Sequence, residues 1–167
     1  MKKAYLENTI FGEYLISIKK QNGEISYPFG KATNKNLILD SFYQSILNGF
    51  SEGAHSFVQT CRVGSSSVPA NRTQTGLIGT ILGQTSRSTF FNTSIDSANN
   101  KISLTRDFTF TEVPAGTQVS YAEACVGNFS ISNTLPILTS RFVFPGIINL
   151  ESGDILKITY SLNLILS

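Results

Sequence analysis

Tryptophan is missing from this chain of 167 residues, and histidine and methionine occur once each. A single imidazole, His55, leaves no set of nitrogen and sulfur donors able to close around a zinc ion. His55 is also the one candidate for a base in a Ser/His/Asp hydrolase, and it follows Gly53-Ala54 in a loop-like stretch where a solvated role is favoured. Charge is scarce too: 14% of residues are charged, with 13 Lys and Arg against 11 Asp and Glu. An average soluble domain carries about 25%. A net charge of +2 with no basic cluster beyond Lys2-Lys3 and Lys19-Lys20 argues against nucleic-acid binding through a net field. No apolar run approaches the ~18 residues of a membrane span. Glu7, Asn8 and Thr9 interrupt any leader that Met1-Lys2-Lys3 could open. Expected partners therefore include neither nucleic acid nor membrane, and no cofactor or metal is expected.

The missing charge is replaced by hydroxyls and amides: Ser, Thr and Asn number 21, 16 and 13. Such a weakly repelling surface suits a subunit that buries much of itself in an assembly, although a β-protein with neutral loops reads the same way. The size favours one domain, able to bury roughly 70% of the surface its unfolded chain exposes without a disulfide. Cys61 and Cys125 lack metal spacing and fall in apparent strands. The favoured reading is two buried free thiols, with a disulfide left open.

Periodicity is mostly of two residues. Tyr14, Ile16 and Ile18 share a face in Glu13–Lys20. Asn22-Gly23 then signals a hairpin whose returning strand, Glu24 to Tyr27, stops at Pro28. One amphipathic helix is expected at about Leu37 to Asn48, since Leu39, Phe42, Tyr43, Ile46 and Leu47 form a 3.6-residue stripe between Asn34 or Asn36 as cap and Asn48-Gly49 as stop. Alternation resumes around Phe57–Val63. An exposed loop follows over Gly64–Asn71, and Gln74–Leu82 reads as a long ordered loop with a short turn or strand. Ser88–Ile95 and Lys101–Thr111 flank Asp96–Asn100 as a hairpin. Gln118–Gly127 is a strand rich in small residues, and Thr139–Phe144 is one ended by Pro145-Gly146. Ile155–Leu166 alternates most cleanly of all, which marks a central strand with one wet face. Strands separated by turns in this number indicate an antiparallel β-sandwich, jelly-roll-like, with one amphipathic helix.

Few side chains offer chemistry. Gly76–Gly83 lacks the lysine of a phosphate loop. The sequons at Asn71, Asn92 and Asn128 are expected by chance in such a composition. Glu112, Glu123, Asp107 and Asp154 are the acids near the well-formed strands, and Asp107 and Asp154 read as solvated. Glu123, within Tyr121-Ala122-Glu123-Ala124, could serve as an acid in a glycosidase-like cleft. The favoured reading pairs it instead with backbone donors or with an arginine such as Arg62 or Arg141. No catalytic residues are expected, and hydrolytic activity is not.

The order Asn36-Leu37-Ile38-Leu39-Asp40, Cys61 through Pro69, Gln74-Thr75-Gly76-Leu77 and Leu150 through Leu162 resembles a group of small tailed-bacteriophage virion proteins. In these a "VLD"-type helix start leads to a "VGTGxxxP…QTxL" loop and a closing "L…GDxLxVxYxL" strand. The likeness spans Asn34 to Leu166 and departs from the pattern at Ser65 and Ser67. It implies a non-enzymatic virion structural protein, a tail or head–tail junction subunit that helps build or attach fibres, assembled in the host bacterial cytoplasm. Implied partners are further copies in a symmetric homo-oligomer and other virion proteins of tail, fibre, portal-adaptor or capsid. Alternatives are a capsid decoration protein on the head and, less favoured, a carbohydrate-binding or tail-spike module; a bacterial surface adhesin is disfavoured for want of an export signal. The resemblance divides the chain into 34–167 as the sandwich and 1–33 as an amino-terminal hairpin or arm. Tyr14, Ile16, Ile18 and Tyr27 are then the expected interface with a neighbour, the other reading being a hairpin packed on its own domain.

Overall fold

A computed structural model describes residues 9–43, 59–86, 92–111, 118–128 and 137–165. The fold is mainly β. Its ten strands are β1 (Thr9–Lys19), β2 (Ile25–Ser26), β3 (Asn34–Ile38), β4 (Thr60–Gly64), β5 (Ile81–Gln84), β6 (Asn92–Asp96), β7 (Lys101–Phe110), β8 (Gln118–Asn128), β9 (Ile137–Glu151) and β10 (Ile155–Ile165). Every pairing is antiparallel. They follow one continuous path, β5-β4-β8-β9-β3-β1-β10-β7-β6, with β2 appended to β1.

The two-residue alternation read from the sequence builds the core directly. Tyr14, Ile16 and Ile18 of β1 face inward, as do Leu156, Ile158, Tyr160 and Leu162 of β10. Register then lines them up in rows: Ile16 opposite Ile158 and Ile158 opposite Phe108, Ile18 opposite Leu156 and Leu156 opposite Phe110. Each such side chain, fully buried, contributes about 1.5–3 kcal/mol. β10 lies between β1 and β7, the central position its regularity predicts.

β3 is the corner of the sheet. Asn34–Asn36 pair with β1, whereas Leu37 and Ile38 pair with β9. The path turns there and curls into a half-barrel. The β1-β10-β7 side faces the β4-β8-β9 side across one hydrophobic cluster, in which the Tyr14 ring stacks on Phe142 at 4.1 Å between centroids. On the far side Gly83 of β5 lies against the Phe110 ring, and Arg106 donates a hydrogen bond to the Gln59 carbonyl.

Several expectations are corrected. Leu37 and Ile38 belong to β3, so the helix expected from Leu37 begins only at Asp40, and its described part is the single turn Asp40–Tyr43. Leu39 precedes the helix and is buried under the β4–β5 connection, while Phe42 is buried in the main core, so the two do not share one stripe; 44–48, with Ile46 and Leu47, lie outside the described residues. Backbone pairing with two strands outweighs helical propensity over 34–38. Pro145-Gly146 does not end its strand, because β9 continues to Glu151. The register with β8 jumps there, from Glu123 opposite Val143 to Tyr121 opposite Ile148. Such a bulge removes ladder positions, so a proline without an N–H is accommodated.

Of the two readings given for 1–33, arm or hairpin on its own domain, the described residues follow the second: β1 and β2 form a hairpin on the chain's own sheet. β1 pairs with β10 through eleven residue positions, from Thr9 opposite Ile165 to Lys19 opposite Ile155. This strand is central to the sheet and is not a detachable arm.

Candidate functional site

The most elaborate polar arrangement sits on the outer face of β8 and β9. Glu123 and Cys125 of β8 alternate onto that face. In the ladder Glu123 stands opposite Val143 and Cys125 opposite Arg141, so Glu123 and Arg141 are diagonal neighbours able to meet. Both side chains are fully buried. Glu123 Oε2 accepts from Arg141 Nε at 2.7 Å, and the Arg141 Nη2 atom lies 2.7 Å from the same oxygen, so both nitrogens converge on Oε2.

What buries this pair is the connection between β4 and β5. The backbone N–H groups of Ser66 and Gly79 donate to Glu123 Oε1 at 3.2 and 2.7 Å, and that of Ile78 donates to Oε2 at 3.3 Å. Arg141 in turn donates to Gln74 Oε1 at 3.1 Å and to the Val68 carbonyl at 2.9 Å. Two charged side chains thus bolt both limbs of the loop onto the sheet. Leu77 packs with Leu39 and Cys125 in a small apolar cluster beneath it. Gly79 permits the close approach: a Cβ there would lie 2.5 Å from the Ser66 nitrogen and 2.9 Å from Glu123 Oε1.

The outward side of the same loop is mostly Ser, Thr and Asn, with Val68, Pro69 and Ile78 set among them, and it carries little charge. Val68, Ile78 and Ile81 are about half exposed. Between Val63 and Ser86 the one charged residue is Arg72, which forms an ion pair with Asp40 at 2.9 Å. Beside the loop, an open groove of about 310 Å³ runs between β3 and β9, with Tyr14, Lys35, Pro69 and Phe142 in its walls.

The remaining sequence candidates are dispersed. Tyr14, Ile16 and Ile18 are 4, 2 and 6% exposed and lie in the chain's own core, so the expected interface is corrected there: their face is already covered by β8 and β9. Tyr27 is half-buried, with the Lys31 ammonium 5.4 Å from its ring centre. Asp107 is half exposed and pairs with Lys157 at 2.7 Å. Burial pushes its pKa up, but the hydrogen bonds from Lys157 and Thr159 outweigh this and hold it below the ordinary value. Asp154 is not solvated but 3% exposed. Its carboxylate folds back over the turn to accept from the Glu151 N–H at 3.1 Å and from Lys20 at 2.6 Å. Burial again raises its pKa, and Lys20 with the backbone N–H groups of Glu151 and Gln21 brings it below normal. His55 and Glu112 lie outside the described residues.

Cys61 and Cys125 are both free and buried. Cys61 is paired with Val126, the residue after Cys125, so the two thiols belong to opposite faces. Cys61 joins the main core and Cys125 the cluster under the loop. Burial pushes the Cys61 thiol well above its ordinary pKa and that of Cys125 up to about 12. Neither is poised as a nucleophile.

Glu123 was legible as a satisfied carboxylate with an arginine partner. The loop donors were not, because backbone N–H groups leave no signature in sequence. Among the described residues no group of three or more His, Cys, Asp or Glu side chains could hold a metal, and no helix is long and apolar enough to cross a membrane. Comparison with family models, with curated proteins and with solved structures returns no match for this chain.

Proposed function

We propose that this chain is a structural subunit, without catalytic activity, that works by presenting rigid surfaces to neighbouring proteins. The observation that carries the reading is the loop between β4 and β5, anchored by a buried ion pair while exposing Val68 and Ile78, with Ile81 exposed at the start of β5. A loop held this firmly loses little conformational entropy when it docks. Its outer side sets Val68, Pro69 and Ile78 among hydroxyls with a single charged residue, Arg72, and depletion of charge is the compositional mark of an interface core. Glu123, the acid a glycosidase would need, is spent on holding that loop.

The assembly in view is the bacteriophage virion, at the tail or the head–tail junction, where the subunit joins further copies and other virion proteins and helps build or attach fibres. The motif order from Asn34 to Leu166 supports this setting, and the weakly charged surface is compatible with it. In the same proposal the two sides of the curled sheet act as the layers of a sandwich, a reading supported by their shared core. Immunogold labelling of purified particles of the phage encoding the chain tests it. Label at the tail or junction is expected, label on the head favours the decoration alternative, and particles without the chain refute a virion role. Ile78→Asp and Val68→Asp should leave the fold intact and prevent incorporation. Incorporation at the unaltered level would remove the loop from the mechanism.

A further inference from the structure

The two ends of the strand path are built differently. At one end β5 is irregular: its pairing with β4 carries a register shift at Val63/Gly64, which skips Leu82. Bulges, charges and prolines are the usual devices that keep a sheet edge from pairing with another chain. At the other end β6, Asn92-Thr93-Ser94-Ile95-Asp96, has neither a bulge nor a proline, and its one charge, Asp96, lies at its last position. Its pairing with β7 is regular over all five residues. All five are exposed, and Ile95, at 72%, exceeds every other exposed large apolar residue described. No described strand covers its outer edge.

We infer that β6 is a self-association edge, at which a second copy of this chain adds its own β6 in antiparallel register about a two-fold axis through Ser94. The sequence of the strand is compatible with itself in that register. Ser94 meets Ser94 of the second copy, Thr93 meets Ile95, and Asn92 meets Asp96, so no like charges oppose each other. Thr93 and Ile95 share a face with Leu104 and Ile102, their partners on β7. Across the axis this face continues unbroken, and the two Ile95 side chains become diagonal neighbours within reach of contact. Main-chain hydrogen bonds supply the affinity, as in other strand additions. A five-residue strand pair is small beside the about 1,200–2,000 Å² of a standard interface. The contact is therefore weak in isolation and gains strength where many copies are held together.

This inference rests on the assembly reading above, and the test separates the two. In the register given, only position 94 faces itself, at the 4.5–5.5 Å Cα separation of opposed antiparallel residues, a distance a disulfide spans. The full chain carrying Ser94→Cys should cross-link under mild oxidation about tenfold faster than one carrying Thr93→Cys, through the proximity that pairing supplies. The buried Cys61 and Cys125 stay out of the reaction. Adding Ile95→Lys to Ser94→Cys should abolish the difference, with the far-ultraviolet circular dichroism unchanged. Equal rates for Ser94→Cys and Thr93→Cys overturn the inference. If sedimentation of the unaltered chain then still shows oligomers, assembly runs through another surface and the broader reading stands. If it shows only monomer at high concentration, both fail.

Discussion

Replacing Glu123 with glutamine changes one atom and tests the polar anchor of the loop. Glu123 Oε1 accepts from the Ser66 and Gly79 N–H groups, while Oε2 accepts from Arg141 and the Ile78 N–H. A glutamine has one oxygen to offer. In one orientation its NH₂ faces the guanidinium; in the other it faces two backbone donors. Either way donors oppose donors in a fully buried site, and Arg141 loses its counter-charge. Breaking a buried pair costs about 3–5 kcal/mol, and with both orientations of the amide frustrated we expect about 4 kcal/mol. At an m-value of about 2 kcal/mol/M, the urea midpoint should fall by about 2 M. Tyrosine fluorescence and circular dichroism can follow unfolding, since the chain has no tryptophan. Arg141→Met alone should cost a similar amount. In the Glu123→Gln background it should cost at least about 2 kcal/mol less, because the amide oxygen is then free to serve Ser66 and Gly79. A single-variant loss under about 1 kcal/mol, or a cycle additive to within about 0.5 kcal/mol, would refute the reasoning.

Two other outcomes follow from the packing and the acids. Gly12→Ala should destabilise by about 2 kcal/mol or more, because a Cβ at this inward position of β1 would overlap Asn36 Oδ1 and come within 2.5 Å of the Tyr160 hydroxyl; a melting temperature unchanged by the substitution would show that Asn36 moves aside freely. Acid should weaken the fold: with pKa values held below normal, Asp154 and Asp107 stabilise it above their unfolded value of about 3.9 and lose that contribution as pH falls through the folded value. Denaturation midpoints taken between neutral pH and about pH 3 should therefore fall, with Asp154→Asn flattening the decline, and an equal slope in both proteins would exclude Asp154 as a source.

Strand identity was largely a local property here. The alternation in Tyr14–Ile18 and Leu156–Leu162 marks which side chains face the core, and Asn22-Gly23 and Asp96–Asn100 mark hairpins, because facing and turning are decided by adjacent residues. Pairing was decided at long range. Nothing local to Tyr14 names Tyr160 as its neighbour, so a strand ten residues from the amino end read as a possible arm. The same holds for 34–38, where cap residues and a helical stripe were locally credible until β1 and β9 supplied backbone partners on either side. Pro145-Gly146 reads as a stop unless the opposing strand skips positions. The Glu123–Arg141 pair needs both the β8–β9 register and a loop to exclude water. The order of residues thus determined a β-rich, weakly charged chain and the inward faces of its strands. Only the tertiary structure decided which strands adjoin, where the sheet turns and which charges are buried together, because those depend on contacts between residues far apart in the chain.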